Sequence, residues 1–182
     1  MFHVKRFLPG LILIILFLTA CEGGKKGAEE EGLKEFDASS VQSDQRIETL
    51  KSQLFDSPDN FELLSALGDA YFESQRYIEA IGVYEKALKI DPKSADSLND
   101  LALSQFYTGN SEAAVVSANK AVEIDPVYKH GWLTKGFILM TLGRLDEAAV
   151  ALKKVKELDL GGRLAEEADN FLNQIELAKD RK

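Results

Sequence analysis

The amino-acid sequence predicts an all-α fold in which similar helix pairs stack into an α-α superhelix. The first observation is a repeated hexapeptide: ALKIDP at 87–92 is followed by the similar AVEIDP at 121–126. The second is the spacing of Pro58, Pro92 and Pro126, which follow one another at intervals of 34 residues. A fixed period of this length is typical of repeat proteins, whose stacked units build a shared core that no single unit could form.

Residues 1–20 predict a secretory signal peptide. Lys5 and Arg6 precede the apolar run LILIILFL at 11–18, and small residues follow in LTAC at 18–21. A positive start, a short apolar core and a small-residue cleavage site are the three parts of such a signal. The apolar run is shorter than the ~20 residues that a membrane-spanning helix needs.

The ending LTAC resembles the lipobox of bacterial lipoproteins. In that family the peptide is cut before the cysteine, which then carries a diacylglycerol and an N-acyl chain. The resemblance implies that Cys21 is lipidated and anchors the chain to a membrane. Glu22 follows where an Asp would favour the inner membrane, so we expect the outer membrane, with the protein facing the periplasm. An uncleaved anchor and an ordinary signal peptide are the alternatives.

Residues 21–38 predict a flexible tether that follows the lipidated cysteine. The stretch EGGKKGAEEEGLKEFDA is rich in Gly, Glu and Lys and shows no sustained apolar period. As a flexible coil its seventeen residues would span on the order of 20–25 Å. The tether would hold a folded domain just off the membrane.

Residues 39–60 predict an N-terminal helix from about 41 to 56. Ser39 and Gln42 have the spacing of a capping box. An apolar stripe follows, formed by Ile47, Leu50, Leu54 and Phe55. Because Pro58 occupies the proline place of the period, we interpret the segment as the second half of a degenerate repeat.

Residues 61–94 form the most regular unit. Its apolar, small and helix-breaking residues are Leu64, Leu67, Gly68, Tyr71, Ala80, Tyr84, Ala87 and Pro92. Their spacing resembles the tetratricopeptide repeat (TPR), in which Leu-Gly, Tyr, Ala, an aromatic residue and Pro follow in this order. The resemblance implies two helices, over about 60–74 and 77–90, that approach closely at the small residues.

Two further units, 95–128 and 129–162, continue the repeat with departures. Gln105 and Ala118 stand where aromatic residues are expected, and in the third unit Lys135 replaces Leu and Leu160 replaces Pro. Gly109 and Gly143 fall at the turns between the two helices of these units.

Residues 163–182 predict a C-terminal capping helix. One face carries apolar residues, namely Leu164, Ala168, Phe171, Leu172 and Ile175, while the opposite face is polar. A repeat stack needs such a helix, because the last unit would otherwise expose its apolar side. A partner-binding or dimerising helix is the alternative.

The resemblance also implies a binding surface, because tetratricopeptide domains generally bind peptides in a concave groove along the first helix of each unit. The residues at those positions are Asp69, Phe72, Asp96, Asn99, Asp100, Leu103, Phe106, His130, Leu133, Phe137 and Met140. We predict that they contact a partner protein or peptide. The alternative is that the N-terminal helix or ordinary packing covers the apolar ones.

One tetratricopeptide subfamily grips the C-terminal carboxylate of chaperones with Lys, Arg and Asn at set groove positions. The matching positions here are Ser65, Asp69, Asp100, His130 and Thr134. Lys and Arg are absent and two positions are acidic, so an acidic tail would be repelled. We therefore reject that specificity.

Composition and residue inventory argue against other functions. The formal net charge of −8 disfavours a nucleic-acid partner. His130 is the only histidine outside the expected signal peptide, so we predict no catalytic triad and no structural zinc site. There is no phosphate-binding glycine motif. We expect no enzyme activity, no cofactor and no metal.

Together these observations predict a membrane-anchored adaptor of the bacterial cell envelope, which binds a partner protein or peptide in its groove. The alternative is a ligand-capturing accessory subunit of an envelope uptake system. An apolar cavity that holds a small molecule would favour the alternative, and a partner that co-purifies through the groove would favour the adaptor.

Overall fold

The computed structural model describes residues 38–180, and this part of the chain contains helices but no strand. Cys21, the signal peptide and the tether lie outside the described residues. The all-α prediction is confirmed. The eight helices are α1 (Ala38–Asp56), α2 (Phe61–Glu73), α3 (Tyr77–Ile90), α4 (Ala95–Tyr107), α5 (Ser111–Ile124), α6 (Lys129–Thr141), α7 (Leu145–Leu158) and α8 (Arg163–Lys179).

The helices stack as pairs in chain order. Within the pairs α2 packs on α3, α4 on α5 and α6 on α7, and each outer helix also contacts the inner helix of the next pair. The inner helices α2, α4 and α6 touch one another in sequence, and α8 continues this row by packing on α6 and α7. The row α2, α4, α6 and α8 is called the inner face below.

Short polar side chains start the first two inner helices. The Asn60 side chain accepts a hydrogen bond from the Leu63 amide at 2.9 Å, and Ser94 Oγ accepts one from the Ser97 amide at 3.2 Å. Each bond satisfies an amide that has no partner within its own helix. At the start of α6 the equivalent residue is Tyr128, whose side chain makes no such bond.

Helix α1 is longer than the sequence predicts. It begins at Ala38 rather than near residue 41, so Ser39 lies within its first turn. Alanine has the highest helix propensity, which favours extension of the helix to Ala38. Ile47 of α1 is buried against α2, and within the described residues α1 contacts no other inner helix.

Each helix pair meets at a contact where a small residue faces a residue of matching size. A Cβ atom added to Gly68 would clash with the ring of Tyr84, and one added to Gly136 would lie 2.7 Å from the Leu152 side chain. In the middle pair Ala102 and Ala118 occupy these places and both are fully buried. Glycine therefore stands where the opposite side chain is large, and alanine where it is small.

The missing aromatic residue at Gln105 has a polar replacement. Ser117 of α5 donates a buried hydrogen bond of 2.8 Å to Gln105 Oε1. Both side chains are buried, so the bond offsets much of the cost of removing them from water. The second unit thus joins its two helices with a hydrogen bond where the first uses aromatic packing.

The turn between the two helices of each pair needs a residue in the left-handed backbone conformation. Gly109 and Gly143 have φ angles of +80° and +74°. Gln75 takes the same place in the first unit with φ of +59°, a conformation that costs a residue with a side chain more than it costs glycine.

Helix α8 ends the stack. Leu164, Ala168 and Ile175 are buried against the last pair. Asp159 accepts hydrogen bonds from the amides of Leu164 and Ala165 at the start of α8. It also forms an ion pair of 2.8 Å with Lys129. No helix within residues 38–180 combines the length and apolar character that a membrane span requires.

The contact between Gly68 and Tyr84 gives a stability prediction. Gly68→Ala should lower the free energy of unfolding by ~1–3 kcal/mol, because the added methyl group forces the Tyr84 ring to move. Gly82→Ala is the control, since that helical glycine of α3 faces open space and the change should stabilise by ~0.5–1 kcal/mol. Urea unfolding measures both. Equal effects of the two changes would contradict the proposed packing.

Candidate functional site

The inner face carries the residues that the sequence assigns to a groove. Asp69 and Phe72 lie on α2, and the remaining ones lie on α4 and α6. Because α1 contacts α2 but neither α4 nor α6, the N-terminal helix leaves the central part of this face open. Two groups of side chains occupy the face, one acidic and one aromatic.

The acidic cluster consists of Asp69 of α2 and Asp96 and Asp100 of α4. Tyr84 donates a hydrogen bond from its hydroxyl to Asp69 Oδ1 at 2.8 Å, and the Tyr128 hydroxyl donates one to Asp96 Oδ1 at 2.5 Å. The side-chain amide of the neighbouring Asn99 donates to Asp100 Oδ1 at 3.0 Å. Asp69 and Asp96 are thus held by tyrosines from other parts of the fold, and Asp100 by its neighbour on the same helix.

Glycines beneath the two tyrosines set the positions of their hydroxyl groups. The Tyr84 side chain is only 1% exposed, and its ring lies directly on Gly68. The Tyr128 ring lies on Gly131, where an added Cβ atom would come within 2.6 Å of the ring. Each ring can reach across to an acid only because the glycine has no side chain.

The protein environment opposes ionisation in this cluster. The pKa of Asp100 is raised to about 7, chiefly by burial and then by the nearby Asp96 and Asp69, while the Asn99 hydrogen bond partly opposes the shift. Burial also raises the pKa of Asp69, against the effect of the Tyr84 hydrogen bond. The pKa of Tyr84 lies far above its ordinary value, mainly because the residue is buried and also because Asp100 and Asp69 are near. Its hydroxyl therefore stays protonated and remains a hydrogen-bond donor.

The aromatic row runs along the inner face and includes Tyr77 from the start of the outer helix α3. Tyr107 stacks on Tyr77 with ring centres 4.8 Å apart and lies 5.9 Å from Phe72. Phe106 packs edge-on against Phe137 at 5.2 Å, and Phe137 lies 5.8 Å from Phe171 of α8. The members of the aromatic row are Phe72, Tyr77, Phe106, Tyr107, Phe137 and Phe171.

The other predicted groove residues differ in how far a partner could reach them. Leu103 and Met140 are half-buried, and His130 is exposed. Leu133 is buried and belongs to the hydrophobic core, which leaves little of its side chain for a partner. Asn99 is also buried, with 5% of its surface exposed.

Several residues of the face were not predicted from the sequence. Tyr77 and Phe171 extend the aromatic row, and the hydroxyl groups of Tyr84 and Tyr128 organise the acids. The repeat pattern places Phe where this chain has Tyr84, so the extra hydroxyl was a usable signal. For Tyr128 the signal was Gly131, one helical turn further on.

The face has the chemistry of a surface that binds protein segments. Half-buried aromatic side chains anchor apolar residues of a partner, and acids attract basic ones. Among the described residues, no group of three or more His, Cys, Asp or Glu side chains is arranged to hold a metal ion.

Comparison with protein families agrees with this architecture. A model described as TPR repeat matches residues 68–109, and one described as tetratricopeptide repeat matches 95–128 and 130–160. Together the matches cover α3 to α7, apart from Lys129, and the second half of α2.

Curated relatives are about a quarter to a third identical to this chain over the aligned residues. The small glutamine-rich tetratricopeptide repeat-containing protein 2 of Saccharomyces cerevisiae is 34% identical over 107 residues, which are 59% of this chain and 30% of the yeast protein. The STIP1 homolog of Dictyostelium discoideum is 28% identical over 101 residues, covering 56% of this chain and 18% of that protein. The chain therefore spans less than a third of the length of these relatives.

Solved structures with the same fold include peptide complexes. The first TPR of Spaghetti (RPAP3), bound to the HSP90 peptide SRMEEVD, is 27% identical, with a TM-score of 0.62 over 66% of this chain and 93% of that one. The Sgt2 TPR domain from Aspergillus fumigatus is 25% identical, with a TM-score of 0.62 over 66% of this chain and 79% of that one. MamA, at 22% identity, shares the fold with a TM-score of 0.63 over 79% of this chain and 94% of its own.

The raised pKa of Asp100 gives a pH prediction. The folded protein holds this proton up to about pH 7, whereas an unfolded Asp loses it near pH ~3.9. The free energy of unfolding should therefore fall as pH rises between these values. Asp100→Asn should flatten the fall and stabilise the protein at pH 8 by on the order of 1–2 kcal/mol, less than the full shift because Asp100 is partly exposed.

Urea unfolding at a series of pH values measures this effect. The control is Glu85→Gln, which removes one exposed acid of α3 that is not part of the acidic cluster. If Asp100→Asn and the wild type lose stability with the same slope, the pKa of Asp100 is not raised.

Proposed function

Because this chain belongs to the tetratricopeptide repeat family, we propose that it is a protein-interaction adaptor whose inner face binds a segment of another protein. The aromatic row is the observation that carries the proposal. Tyr107 is 49% exposed, and Phe72, Phe106 and Phe137 of the same row are half-buried. Side chains of this kind supply most of the binding energy at protein interfaces.

The peptide complex of the RPAP3 domain supports this mode of binding. That domain matches 66% of this chain at 27% identity, and a peptide of HSP90 is bound to it. A partner segment on the inner face of this chain would contact the aromatic row and the acidic cluster together. The aromatic side chains would hold its apolar residues after docking, and the acids would speed the approach of a basic segment.

We further propose that the adaptor is anchored to a membrane of the bacterial cell envelope. Support comes from the sequence alone, in the charged start with Lys5 and Arg6, the apolar run and LTAC with Cys21 at its end. Two or more acyl chains hold a protein on a membrane stably, whereas one chain does so only marginally. The tether between Cys21 and α1 would give the inner face freedom to meet its partner. Glu22 favours the outer membrane and the periplasm.

Photo-crosslinking tests which face meets the partner. A photoreactive amino acid in place of Tyr107 or Phe137 should crosslink one partner in cells. The same amino acid in place of Val116 or Val150, exposed residues of the outer helices α5 and α7, should not. Stronger capture of the same partner from the outer positions would place the binding surface there instead.

Kinetic measurements on the captured partner test the aromatic anchors. Tyr107→Ala should raise the dissociation rate about tenfold and change the association rate little, because anchors act after docking. Its high exposure predicts only a small loss of stability, which thermal unfolding verifies. Val116→Ala on α5 is the control. Unchanged dissociation in Tyr107→Ala would remove the row from the interface.

Cell fractionation tests the anchor. Cys21→Ser should block cleavage of the signal peptide, so that residues 1–20 remain attached. The proposed reason is that the lipid is attached to the cysteine thiol, which serine lacks. Mass spectrometry of the mature protein should show the acylated Cys21 in the wild type. A variant that is cleaved and remains in the membrane fraction would refute the lipoprotein assignment.

A further inference from the structure

A second concave surface lies on the side of α2 that is turned away from the inner face. Leu64 and Leu67 are on the side of α2 opposite to Asp69 and Phe72, because an α-helix completes one turn in ~3.6 residues. Around these two leucines α1 and α3 both pack on α2, while the backbones of α1 and α3 stay apart from each other. The gap between the three helices is a cavity of about 310 Å³.

The cavity, called the outer pocket below, is lined mainly by apolar side chains. They are Leu54 and Phe55 of α1, Pro58, Leu64 and Leu67 of α2, and Val83 of α3. Leu64, Leu67 and Val83 belong to the hydrophobic core and are at most 9% exposed. Because core side chains are closely packed, this part of the pocket is already formed before anything binds.

The charged residues that line the outer pocket are both basic. Lys51 comes from α1 and Lys86 from α3, and both are exposed. Lys51 forms an ion pair of 2.7 Å with Glu48 of its own helix, whereas no Asp or Glu within residues 38–180 pairs with Lys86. An ammonium group offers several hydrogen-bond donors and no acceptor. The outer pocket therefore suits an apolar group that carries a carboxylate.

Phe55 extends the apolar surface of the pocket into solvent. The sequence pattern places this residue on the apolar stripe of α1, but the residue is 88% exposed. The cavity itself is open to solvent. Sites for small molecules usually enclose most of their ligand, whereas exposed aromatic residues are typical anchors of protein interfaces. An open cavity beside an exposed ring therefore fits a protein segment better than a small molecule.

We propose that the outer pocket binds an acidic segment of a second partner protein. The segment places a large apolar side chain in the cavity and a neighbouring carboxylate near Lys86. The inference goes beyond the proposed function, because the outer pocket and the inner face lie on opposite sides of α2. Two partners can therefore occupy the chain together, and the adaptor would join them.

The two surfaces favour segments of opposite charge. Asp69, Asp96 and Asp100 on the inner face repel an acidic segment, whereas Lys51 and Lys86 attract it. A basic segment has the reverse preference. Because specificity depends on repulsion as well as attraction, this difference would keep each partner off the surface of the other.

Two fluorescent peptides test the outer pocket by their anisotropy with the intact chain. Both carry leucine and phenylalanine at the centre, flanked by glutamates in the acidic peptide and by glutamines in the neutral one. The acidic peptide should bind more tightly, and added salt should reduce the difference by screening the charges. The net charge of −8 opposes this preference, so the preference requires a local basic site. Equal binding of both peptides at low salt would overturn the proposal.

A charge variant tests the contact with Lys86. Lys86→Gln should weaken binding of the acidic peptide about twofold to fivefold, the range of an exposed ion pair, and change the neutral peptide little. Lys120→Gln is the matched control, since Lys120 is an exposed lysine at the same place of the next repeat and does not line the outer pocket. Equal losses in the two variants would show general charge attraction and contradict the site.

An aromatic variant tests the apolar part of the surface. Phe55→Ala should weaken both peptides at least about fivefold, as expected for an interface anchor. Ile78→Ala is the control, because Ile78 is 76% exposed on α3 and does not line the pocket. Thermal unfolding verifies that the variants are folded. Normal binding of both peptides by Phe55→Ala would remove Phe55 and the pocket from the interface.

The location of the bound peptide separates this inference from the proposed function. The acidic peptide should shift the methyl NMR signals of Leu64, Leu67 and Val83, and should do so equally in Tyr107→Ala. Binding that is lost in Tyr107→Ala and kept in Phe55→Ala would remove the outer pocket and keep the adaptor. Binding at the outer pocket, without any crosslink from Tyr107 or Phe137 in cells, keeps the pocket and removes partner binding by the inner face.

Two further probes test other occupants of the pocket. Octanoate combines a carboxylate with an apolar chain, and tighter binding of octanoate than of the acidic peptide would overturn the proposal in favour of a small ligand. A peptide that copies residues 29–37, EEEGLKEFD, combines acids with Leu33 and Phe36. Tighter binding of this peptide would overturn the proposal in favour of a segment of this chain. Weaker binding of both probes supports a partner protein.

Discussion

The contact between the two helices of each pair is the constraint on which the rest of the structure depends. The residue of the inner helix must be small enough for the residue that crosses it from the outer helix. Gly68 accepts Tyr84 and Gly136 accepts Leu152, while the buried Ala102 and Ala118 occupy the same places in the middle pair. Because interiors are packed as densely as organic crystals, a mismatch of one methyl group cannot be absorbed freely. This contact fixes the angle of each pair and the direction in which α2, α4 and α6 turn their free side.

The same contacts arrange the chemistry of the inner face. Tyr84 fills the core with its ring and holds Asp69 with its hydroxyl. Tyr128 does the equivalent for Asp96 over Gly131. The acids are thus crowded together at a fixed place, although their repulsion opposes such crowding. Packing energy offsets that repulsion, as is common at functional sites.

Much of the fold could be predicted from the sequence, because the repeat reports both helix length and packing. Pro58, Pro92 and Pro126 mark where helices end, and the glycines mark their turns. The start of α1 was predicted three residues too late, since Ser39 imitates a cap that the helix passes through. Groove positions follow from the repeat, but which side chains touch does not. Leu133 and Asn99 share the groove register with Asp100, and only the packing reveals that they are buried.

Tyr84 contributes its ring to the core and its hydroxyl to the acidic cluster, and this double role affects how the sequence can change during evolution. A substitution that preserves its ring keeps the core, yet can release Asp69 and alter what the face attracts. Tyr107, by contrast, is 49% exposed and lies outside the buried core, so a change there affects the rings it touches and leaves the core packing in place. Inherited changes in partner preference should therefore accumulate first at the exposed end of the aromatic row. The acidic cluster should persist for as long as Gly68 leaves room for the Tyr84 ring.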